Sequence, residues 1–185
     1  LNVVTNANRK TKPKSTFHSD TSYISRPPSN SALIAIEVPK AGGATLFSDQ
    51  YAALDSLDDD LRKLLHGAEV LHTATGVEKV QSEWQPLVRY NPQSGRKALF
   101  LTSIARCKRL RLADGTDRTD LLQGLYDKSL TINPHIKHDW SLGDVLLWDN
   151  RSTMHAADHR DVHGTRTLFR GLIRGEEPIC GGAVD

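Results

Sequence analysis

The chain has 185 residues, of which 38% are hydrophobic and 25% are charged, and its formal net charge is +2. This composition predicts one globular domain over residues 1–185 with enough apolar material for a core. No run approaches the roughly 18 apolar residues of a transmembrane helix, and so small a net charge gives no general reason to expect nucleic-acid binding. We therefore predict a protein with neither a membrane nor a nucleic acid as its partner.

Two cysteines, Cys107 and Cys180, are too few for a disulfide scaffold and lack the spacing of metal ligands. They predict a reducing, cytoplasmic location, and neither is predicted to be catalytic. The chain begins at Leu1 with no charged-then-apolar leader, so no signal peptide is indicated. We expect that its N-terminal part is missing.

Positive charge is concentrated near the start of the chain, in "NRKTKPK", which holds Arg9, Lys10, Lys12 and Lys14. Segments of this kind are usually solvated, and the alternative is a loop that meets an anionic substrate or a polyanion. The sequence leaves both interpretations open.

The first regular elements in chain order are a strand, two short helices and a second strand. The first strand is "ALIAIEV" at 32–38, and the second is "AEVLHT" at 68–73. Between them, Asp49 can cap a helix that runs through residue 54, and a second helix is predicted over 58–67.

A hairpin and a longer helix follow. The strands "PLVRY" (86–90) and "KALFL" (97–101) are joined by "NPQSG", a typical hairpin loop. Residues 116–130 carry three leucines at helical spacing and predict a helix.

The last third is again mainly β. "SLGD" (141–144) is predicted to be a hairpin turn between "IKHDW" and the strand "DVLLW" (144–148), and "RTLFRGLIR" (166–174) is the final strand. Many short strands with few connecting helices favour a barrel or jelly roll over a parallel α/β sheet. No strand leads into a Gly-rich phosphate loop, so nucleotide binding of that kind is not expected.

The chemistry is indicated by "STFHSDTSY", in which His18 and Asp20 are two residues apart. In an extended segment such residues point to the same side, so both could reach one metal ion. The pair is a weak signal alone, because a polar turn can contain the same residues by chance. A third ligand would have to come from elsewhere in the chain.

Among the eight histidines, His155 is the best candidate for that third ligand because it follows the apolar run "DVLLWDNRSTM". A His, an Asp and a distant His form the facial triad of non-heme Fe(II) oxygenases. His72 could face either a core or a site. The others are predicted to be structural or exposed, and they are His66, His135, His138, His159 and His163.

A 2-oxo acid could supply electrons to such an iron if the protein held its far carboxylate. Arginine suits this role because its guanidinium makes two parallel hydrogen bonds to a carboxylate. Arg166, Arg170 and Arg174 are each four apart in the last strand and share one face. This spacing indicates an anion site.

The motifs "FHSDTSY", "GGATLFSD", "PLVRYNPQSGRKALF", "GDVLLWDNRSTMHAA" and "RTLFRGLIRGEEP" occur in an order that resembles the taurine dioxygenase (TauD/TfdA-like) family of Fe(II)/2-oxoglutarate-dependent dioxygenases. The resemblance covers the chain from about Ser15 to Pro178. It implies a double-stranded β-helix, or jelly-roll, with Fe(II) at one mouth of the barrel and 2-oxoglutarate and O2 as cosubstrates.

The resemblance also implies roles for single residues. His18, Asp20 and His155 match the iron ligands. Thr45, 27 residues after His18, matches a threonine that contacts 2-oxoglutarate. Arg170, fifteen residues after His155, matches the arginine that binds the C5 carboxylate, and Arg166, eleven after it, matches an arginine near the C1 end. Arg174 has no counterpart and is expected at the surface.

This chain departs from the family pattern in three places. Phe17 replaces the tryptophan common before the first histidine. The stretch between "LHTATG" and "QPLVRY", which often forms part of the substrate lid, is short. Seventeen residues precede His18, where the family normally has several tens.

The implied reaction is hydroxylation of an aliphatic C–H bond in a small anionic substrate, with succinate and CO2 as products. Sulfonates, phenoxyalkanoates and N-modified amino acids are the expected substrate types. Asp20 favours hydroxylation, because related halogenases have a small residue there. Arg26 and Tyr23, or a lysine of the basic segment, are candidates for substrate binding, and Asp149 and Asn150 are candidates for orienting the ligands.

Two other function classes stay open. One is a nucleic-acid demethylase with the same cofactors, although the chain lacks interleaved aromatic residues and strong positive charge. The other is a non-catalytic, cupin-like protein that binds a small molecule. A homo-oligomer is also possible, because an unpaired sheet face could support one.

Overall fold

Buried and exposed residues alternate along several strands, as in β2, where Ser31, Leu33 and Ala35 are buried and their neighbours are more exposed. This pattern lets one face of a sheet pack on a core while the other meets solvent. The computed structural model of the protein describes residues 2–7, 15–75, 80–131 and 135–181. The basic residues from Arg9 to Lys14 lie outside the described residues, so their predicted role stays a prediction.

In the described residues the elements follow one another as thirteen strands, three α-helices and one 3-10 helix. Up to the middle of the chain they are β1 (Asn2–Thr5), β2 (Asn30–Glu37), β3 (Thr45–Asp49), α1 (Gln50–Asp55), α2 (Asp59–Leu64), β4 (Glu69–Thr73), β5 (Ser82–Pro86), β6 (Val88–Asn91) and β7 (Arg96–Leu99). The rest are β8 (Cys107–Arg111), a 3-10 turn (Thr119–Leu121), α3 (Leu122–Thr131), β9 (Ile136–His138), β10 (Val145–Asp149), β11 (Thr153–Ala157), β12 (Thr167–Ile173) and β13 (Ile179–Cys180).

Two antiparallel sheets pack against each other and form the jelly roll. One has the strand order β1-β12-β2-β10, and the other has the order β11-β3-β9. Their inner faces share a small core, which consists of Leu33, Ala35, Phe47, Trp148 and Leu168. The prediction of a mainly β, jelly-roll fold is confirmed.

A larger core lies on the other side of β11. Met154 and Ala156 face this core, while His155 between them points into the jelly roll beside Phe47 and Trp148. The rest of the larger core comes from the helices, from two further sheets, β13-β6-β7 and β5-β4-β8, and from connecting residues such as Phe17, Leu87 and Leu101. Strand β11 is therefore buried on both faces, which anchors His155.

Most of the predicted elements are confirmed. The hairpin at "NPQSG" joins β6 to β7 with Asn91 opposite Arg96. Asp49 caps α1 by accepting from the backbone N–H groups of Tyr51 and Ala52, and Asp58 caps α2 in the same way.

Two predictions about local structure are wrong. The predicted helix over 116–130 begins later, at Leu122 after a 3-10 turn, because Asp117 instead bridges to Arg111 in β8. "SLGD" is a turn but not a hairpin, because β9 pairs with β3 whereas β10 pairs with β2 in the other sheet.

No helix in the described ranges is long and apolar enough to cross a membrane. Both cysteines are free thiols, Cys107 in the larger core and Cys180 at the surface. Burial raises the pKa of Cys107 to about 11, so this thiol stays protonated at neutral pH.

Candidate metal and cosubstrate site

Two segments far apart in sequence meet at a pair of backbone hydrogen bonds. The N–H of His18 donates to the carbonyl of His155 at 3.0 Å, and the N–H of His155 donates to the carbonyl of His18 at 3.0 Å. This is one hydrogen-bonded pair of an antiparallel ladder, in which the two side chains lie on the same side. The two histidines therefore face one point.

The His–Asp–His triad consists of His18, Asp20 and His155, whose ligand atoms all lie within 4.8 Å of one another. Each carboxylate oxygen of Asp20 is 3.8 Å from the Nε2 atom of one histidine. Two imidazoles and one carboxylate are the donor set of a non-heme Fe(II) site. The residues present thus fit a divalent transition metal.

The hydrogen bonding of His18 leaves its Nε2 atom free for a metal. Its Nδ1 atom lies 3.0 Å from the carbonyl of Thr16, which can only accept, so Nδ1 carries the proton. This contact fixes the tautomer and the ring orientation, which is the usual arrangement for a metal-ligating histidine.

Electrostatics favour the metal-binding protonation states of the triad. Burial lowers the pKa of His155 to about 3, and it also lowers the pKa of His18, with the positive charge of Arg106 and then of Arg170 adding to the effect. Burial alone would raise the pKa of Asp20, but His155, His18 and Arg170 together bring it below its usual value. Both imidazoles are therefore neutral, and the carboxylate is charged, at neutral pH.

Asp20 is held from several sides. The Ser31 hydroxyl donates to Oδ2 at 2.8 Å, and Arg170 Nη1 donates to Oδ1 at 3.1 Å. Asn150 fixes the backbone, because its Oδ1 atom accepts from the N–H of Asp20 and its Nδ2 atom donates to the carbonyls of Asp20 and Pro28. The carboxylate has little freedom to rotate away from the histidines.

Of the two predicted orienting residues, only Asn150 contacts the triad segment. Asp149 instead accepts from the side chains of Asn91 and Arg151, so its contacts support the neighbouring turn. The sequence predicted that this pair would lie near the site but not which of the two would reach it.

A second cluster lies between β3 and the start of β12. The Thr45 hydroxyl accepts from Arg166 Nη2 at 3.1 Å and from Trp140 Nε1 at 3.0 Å. Both contacts use the oxygen as an acceptor, so its own hydrogen is left for a third group. Gly43 makes room here, because a Cβ atom at that position would come within 3.1 Å of Arg166 Cδ.

Arg166 is a buried cation that has no carboxylate partner among the described residues. It is 6% exposed, its Nε atom has no hydrogen-bond partner in the described part of the chain, and burial lowers its pKa to about 10. A buried charge without a counter-ion is costly, so this cluster is suited to an anion from outside the chain.

Thr45 lies with Arg166 rather than with Arg170, the arginine predicted to bind the C5 carboxylate, and the cosubstrate roles of the two arginines stay predictions. Thr45 contacts Arg166, whereas Arg170 contacts Asp20 at the triad. The physical reason is the position of β12: Arg170 pairs with Leu33 in the middle of the sheet, and Arg166 precedes the strand at the end near Thr45. The exposed position of Arg174 agrees with the surface location expected for it.

The two candidates for substrate binding lie on the loop after Asp20. Tyr23 is half-buried, and the guanidinium of Arg106 lies over its ring at 5.7 Å from the centroid. Arg26 is exposed. Both assignments stay predictions.

The remaining histidines lie outside the triad. His72 is fully buried in the core against Phe100, and burial lowers its pKa to about 3. His138 lies 3.1 Å from Asp144. His66 and His163 are exposed, His135 packs on Phe17, and His159 is half-buried.

Sequence reasoning missed Ser31 and Trp140, which contact the site, and Arg106, whose turn packs on Ser19. Ser31 could have been found, because it lies on the inward-facing side of β2 together with Leu33 and Ala35. Trp140 and Arg106 belong to irregular segments, where sequence periodicity carries no information about direction.

Comparison with known proteins gives one family. The model described as "Taurine catabolism dioxygenase TauD, TfdA family" matches residues 2–172. The chain is 27% identical to the (S)-phenoxypropionate/alpha-ketoglutarate-dioxygenase of Delftia acidovorans, over 91% of this chain and 63% of that protein. It is 34% identical to the alpha-ketoglutarate-dependent 2,4-dichlorophenoxyacetate dioxygenase of Cupriavidus pinatubonensis, over 83% of this chain and 58% of that protein. The chain thus spans about three fifths of the length of these relatives.

Solved structures agree with the sequence comparison. A taurine dioxygenase from Burkholderia xenovorans matches with a TM-score of 0.83 and 26% identity, over 98% of this chain and 66% of that chain. AAD-2, solved in complex with Mn(II) and N-oxalylglycine, matches with a TM-score of 0.76 and 29% identity, over 88% of this chain and 69% of that chain.

Proposed function

The chain belongs to the TauD/TfdA dioxygenase family, and from this membership we propose that it is the single-domain core of an Fe(II)- and 2-oxoglutarate-dependent dioxygenase. The proposed reaction is hydroxylation of an aliphatic C–H bond of a small anionic organic substrate. The observation that carries the proposal is the convergence of His18, Asp20 and His155 within 4.8 Å, together with a buried arginine, Arg166, that has no carboxylate partner among the described residues.

In this proposal His18 Nε2, His155 Nε2 and a carboxylate oxygen of Asp20 hold Fe(II). When bound together with 2-oxoglutarate, the metal supplies O2-dependent oxidative decarboxylation to succinate and CO2, coupled to hydroxylation of the substrate. The chain's own residues orient these groups. Ser31 and Arg170 keep the carboxylate turned toward the histidines, and the Thr16 carbonyl fixes the His18 tautomer.

The cosubstrate orientation that we propose differs from the one expected from spacing. Arg166 and Thr45 bind the far carboxylate, since Arg166 supplies a buried charge with no carboxylate partner in the part of the chain that the structure describes, and Thr45 has a hydroxyl hydrogen still to donate. Arg170 lies at the metal end, where it neutralises part of the negative charge that Asp20 and the near carboxylate would bring together. One arginine at each end also defines the length of the diacid.

The substrate class is proposed from the relatives. Relatives of this chain are named for activity on (S)-phenoxypropionate, 2,4-dichlorophenoxyacetate and sulfate esters. Each of these substrates is a small organic molecule that carries an anionic group. We propose the same general class for this chain.

The test is Fe(II)-dependent turnover of 2-oxoglutarate. The purified chain is mixed anaerobically with Fe(II) and 2-oxoglutarate, O2 is added, and succinate and O2 uptake are measured with a panel of carboxylates, sulfonates and N-acyl amino acids. We expect succinate in proportion to O2. Asp20→Ala should abolish succinate formation. It should also weaken Mn(II) binding, measured by calorimetry, by more than the roughly 10- to 100-fold loss that follows when a residue supporting a metal ligand is replaced.

The matched control is Asp127→Ala, which removes an exposed carboxylate on α3 and should change neither readout. Binding of Mn(II) and 2-oxoglutarate without formation of succinate would contradict the proposed enzymatic activity. It would support a non-catalytic binding protein instead. Succinate formed only with methylated oligonucleotides, through binding that weakens steeply with salt, would replace the small-molecule substrate by a nucleic acid.

A further inference from the structure

Most arginines in the described part of the chain lie against a carboxylate. The exceptions among the described residues are Arg26, Arg106, Arg166 and Arg174. Arg166 is accounted for by the proposed cosubstrate, and Arg26 and Arg174 are exposed on the surface. Arg106 is different, because it is half-buried and still has no acidic partner in those residues.

Arg106 belongs to a turn that packs directly against the triad segment. The Ser19 hydroxyl donates to the carbonyl of Leu101 at 2.8 Å, and the Thr102 hydroxyl donates to the carbonyl of Ser19 at 3.3 Å. The backbone N–H of Arg106 then closes the turn on the carbonyl of Ser103 at 2.7 Å. Ser19, which lies between His18 and Asp20, thus positions the turn that carries Arg106.

The Arg106 side chain is held in place by two contacts. Its Nε atom donates to the Thr75 hydroxyl at 3.1 Å, and its guanidinium lies over the Tyr23 ring. These contacts leave both terminal nitrogens without a hydrogen-bond partner in the residues that the structure describes. A guanidinium held in this way presents two N–H groups with the geometry that a carboxylate or sulfonate accepts.

The triad is most open at His18. The side chain of His18 is 28% exposed, whereas those of His155 and Asp20 are 9% and 3% exposed. Solvent, and therefore a substrate, reaches the triad from the His18 side. The turn that carries Arg106 packs on Ser19, the residue next to that histidine.

We propose that Arg106, supported by Tyr23 and Thr75, binds the acidic group of the substrate and so determines the preference for anionic substrates. This inference rests on the proposed function. It transfers to Arg106 the role that the sequence suggested for Arg26. Carboxylates and sulfonates share the required chemistry, and the substrate panel distinguishes them.

The test compares anions with uncharged analogues. Calorimetry measures binding of aryloxyalkanoates, alkanesulfonates and the corresponding amides to the chain loaded with Mn(II) and 2-oxoglutarate. The wild type should prefer the anions. Arg106→Gln, which keeps a side-chain N–H for Thr75, should weaken anion binding by about 10- to 100-fold, the value of a charge-assisted pair, and leave amide and 2-oxoglutarate binding unchanged. Arg106→Lys should restore part of the preference.

Arg174→Gln is the matched control, since it removes an exposed arginine without an acidic partner and should leave all affinities unchanged. If Arg106→Gln lost affinity equally for anions and for amides, Arg106 would have a merely structural role and the inference would be overturned. The absence of an anion preference in the wild type, or its loss in Arg26→Gln alone, would also overturn it. An anion preference that depends on Arg106, without any succinate from Fe(II), 2-oxoglutarate and O2, would retain Arg106 and refute the dioxygenase.

Discussion

Arg89 and Arg166 are both buried arginines, and their surroundings differ in one respect. Arg89 is fully buried, donates to Glu176 at 2.7 Å and lies over the Phe100 ring at 4.8 Å. Arg166 contacts a hydroxyl and an indole but no acid among the described residues. The charge near Arg89 is balanced within the chain, whereas the charge near Arg166 is left for a ligand.

The balanced region extends beyond one pair. Arg151, also buried, contacts Glu176 at 3.6 Å and makes two hydrogen bonds to Asp149. Two arginines and two carboxylates thus neutralise one another where the segment after β12 crosses β6. Burial of a charged side chain therefore does not by itself indicate a ligand site. A buried charge without a counter-ion does.

The largest expected effect comes from Arg166→Met. Affinity for 2-oxoglutarate, measured by calorimetry on the Mn(II)-loaded chain, should fall by at least about 30-fold, since a buried charge pair contributes about 2 kcal/mol or more. The free energy of unfolding in urea should stay equal or rise, because no carboxylate among the described residues loses a partner. Arg89→Met is the control, and it should lower stability and leave 2-oxoglutarate affinity unchanged. Similar stability losses in both variants would abolish the distinction.

Glu176→Gln should lower stability and leave 2-oxoglutarate affinity unchanged, which is the reverse of the effects expected for Arg166→Met. It leaves Arg89 buried without its counter-ion, and we expect the free energy of unfolding to fall by about 1–3 kcal/mol. This is less than for a fully buried pair because the Glu176 side chain is 34% exposed. Urea titration measures the change, and unchanged binding of 2-oxoglutarate is the internal check. A normal stability with impaired binding would place Glu176 in the site instead.

The smallest expected effect is a change in the free energy of unfolding at acidic pH. Burial alone would raise the pKa of Glu176, but hydrogen bonds to its backbone and to Arg89, with the charge of Arg151, bring it below 4.5. Its contribution is therefore present above pH 4.5 and is lost as the pH falls through the lower folded value. The stability difference between wild type and Glu176→Gln should shrink in that range, and a difference that grew on acidification would contradict this sign.

Sequence patterns identified the fold because local signals and long-range packing agree in most elements. Alternation in β2, the loop "NPQSG" and the cap residue Asp49 each fix structure within a few residues. "SLGD" failed because a turn signal does not state which strand its flanks will pair with. The pairing depends on β2 and β3, which are about a hundred residues earlier in the chain.

The candidate site divides in the same way. Spacing and motif order were enough to select His18, Asp20 and His155, which the fold brings together. Arg166 and Arg170 are four residues apart and were expected on one face of the last strand, so the sequence alone could not tell which one reaches Thr45. The choice depends on how β12 is positioned relative to β3. Arg106 has no motif around it, and only the packing of its turn on Ser19 reveals it.

The backbone pair between His18 and His155 has a consequence for how the chain folds. The two residues are 137 positions apart, and closing a loop of that length costs about 4 kcal/mol of chain entropy. A metal bound by both side chains would act as a reversible cross-link across nearly three quarters of the polypeptide. Because such a metal binds the folded chain alone, each tenfold excess over its dissociation constant would add about 1.4 kcal/mol to the unfolding free energy.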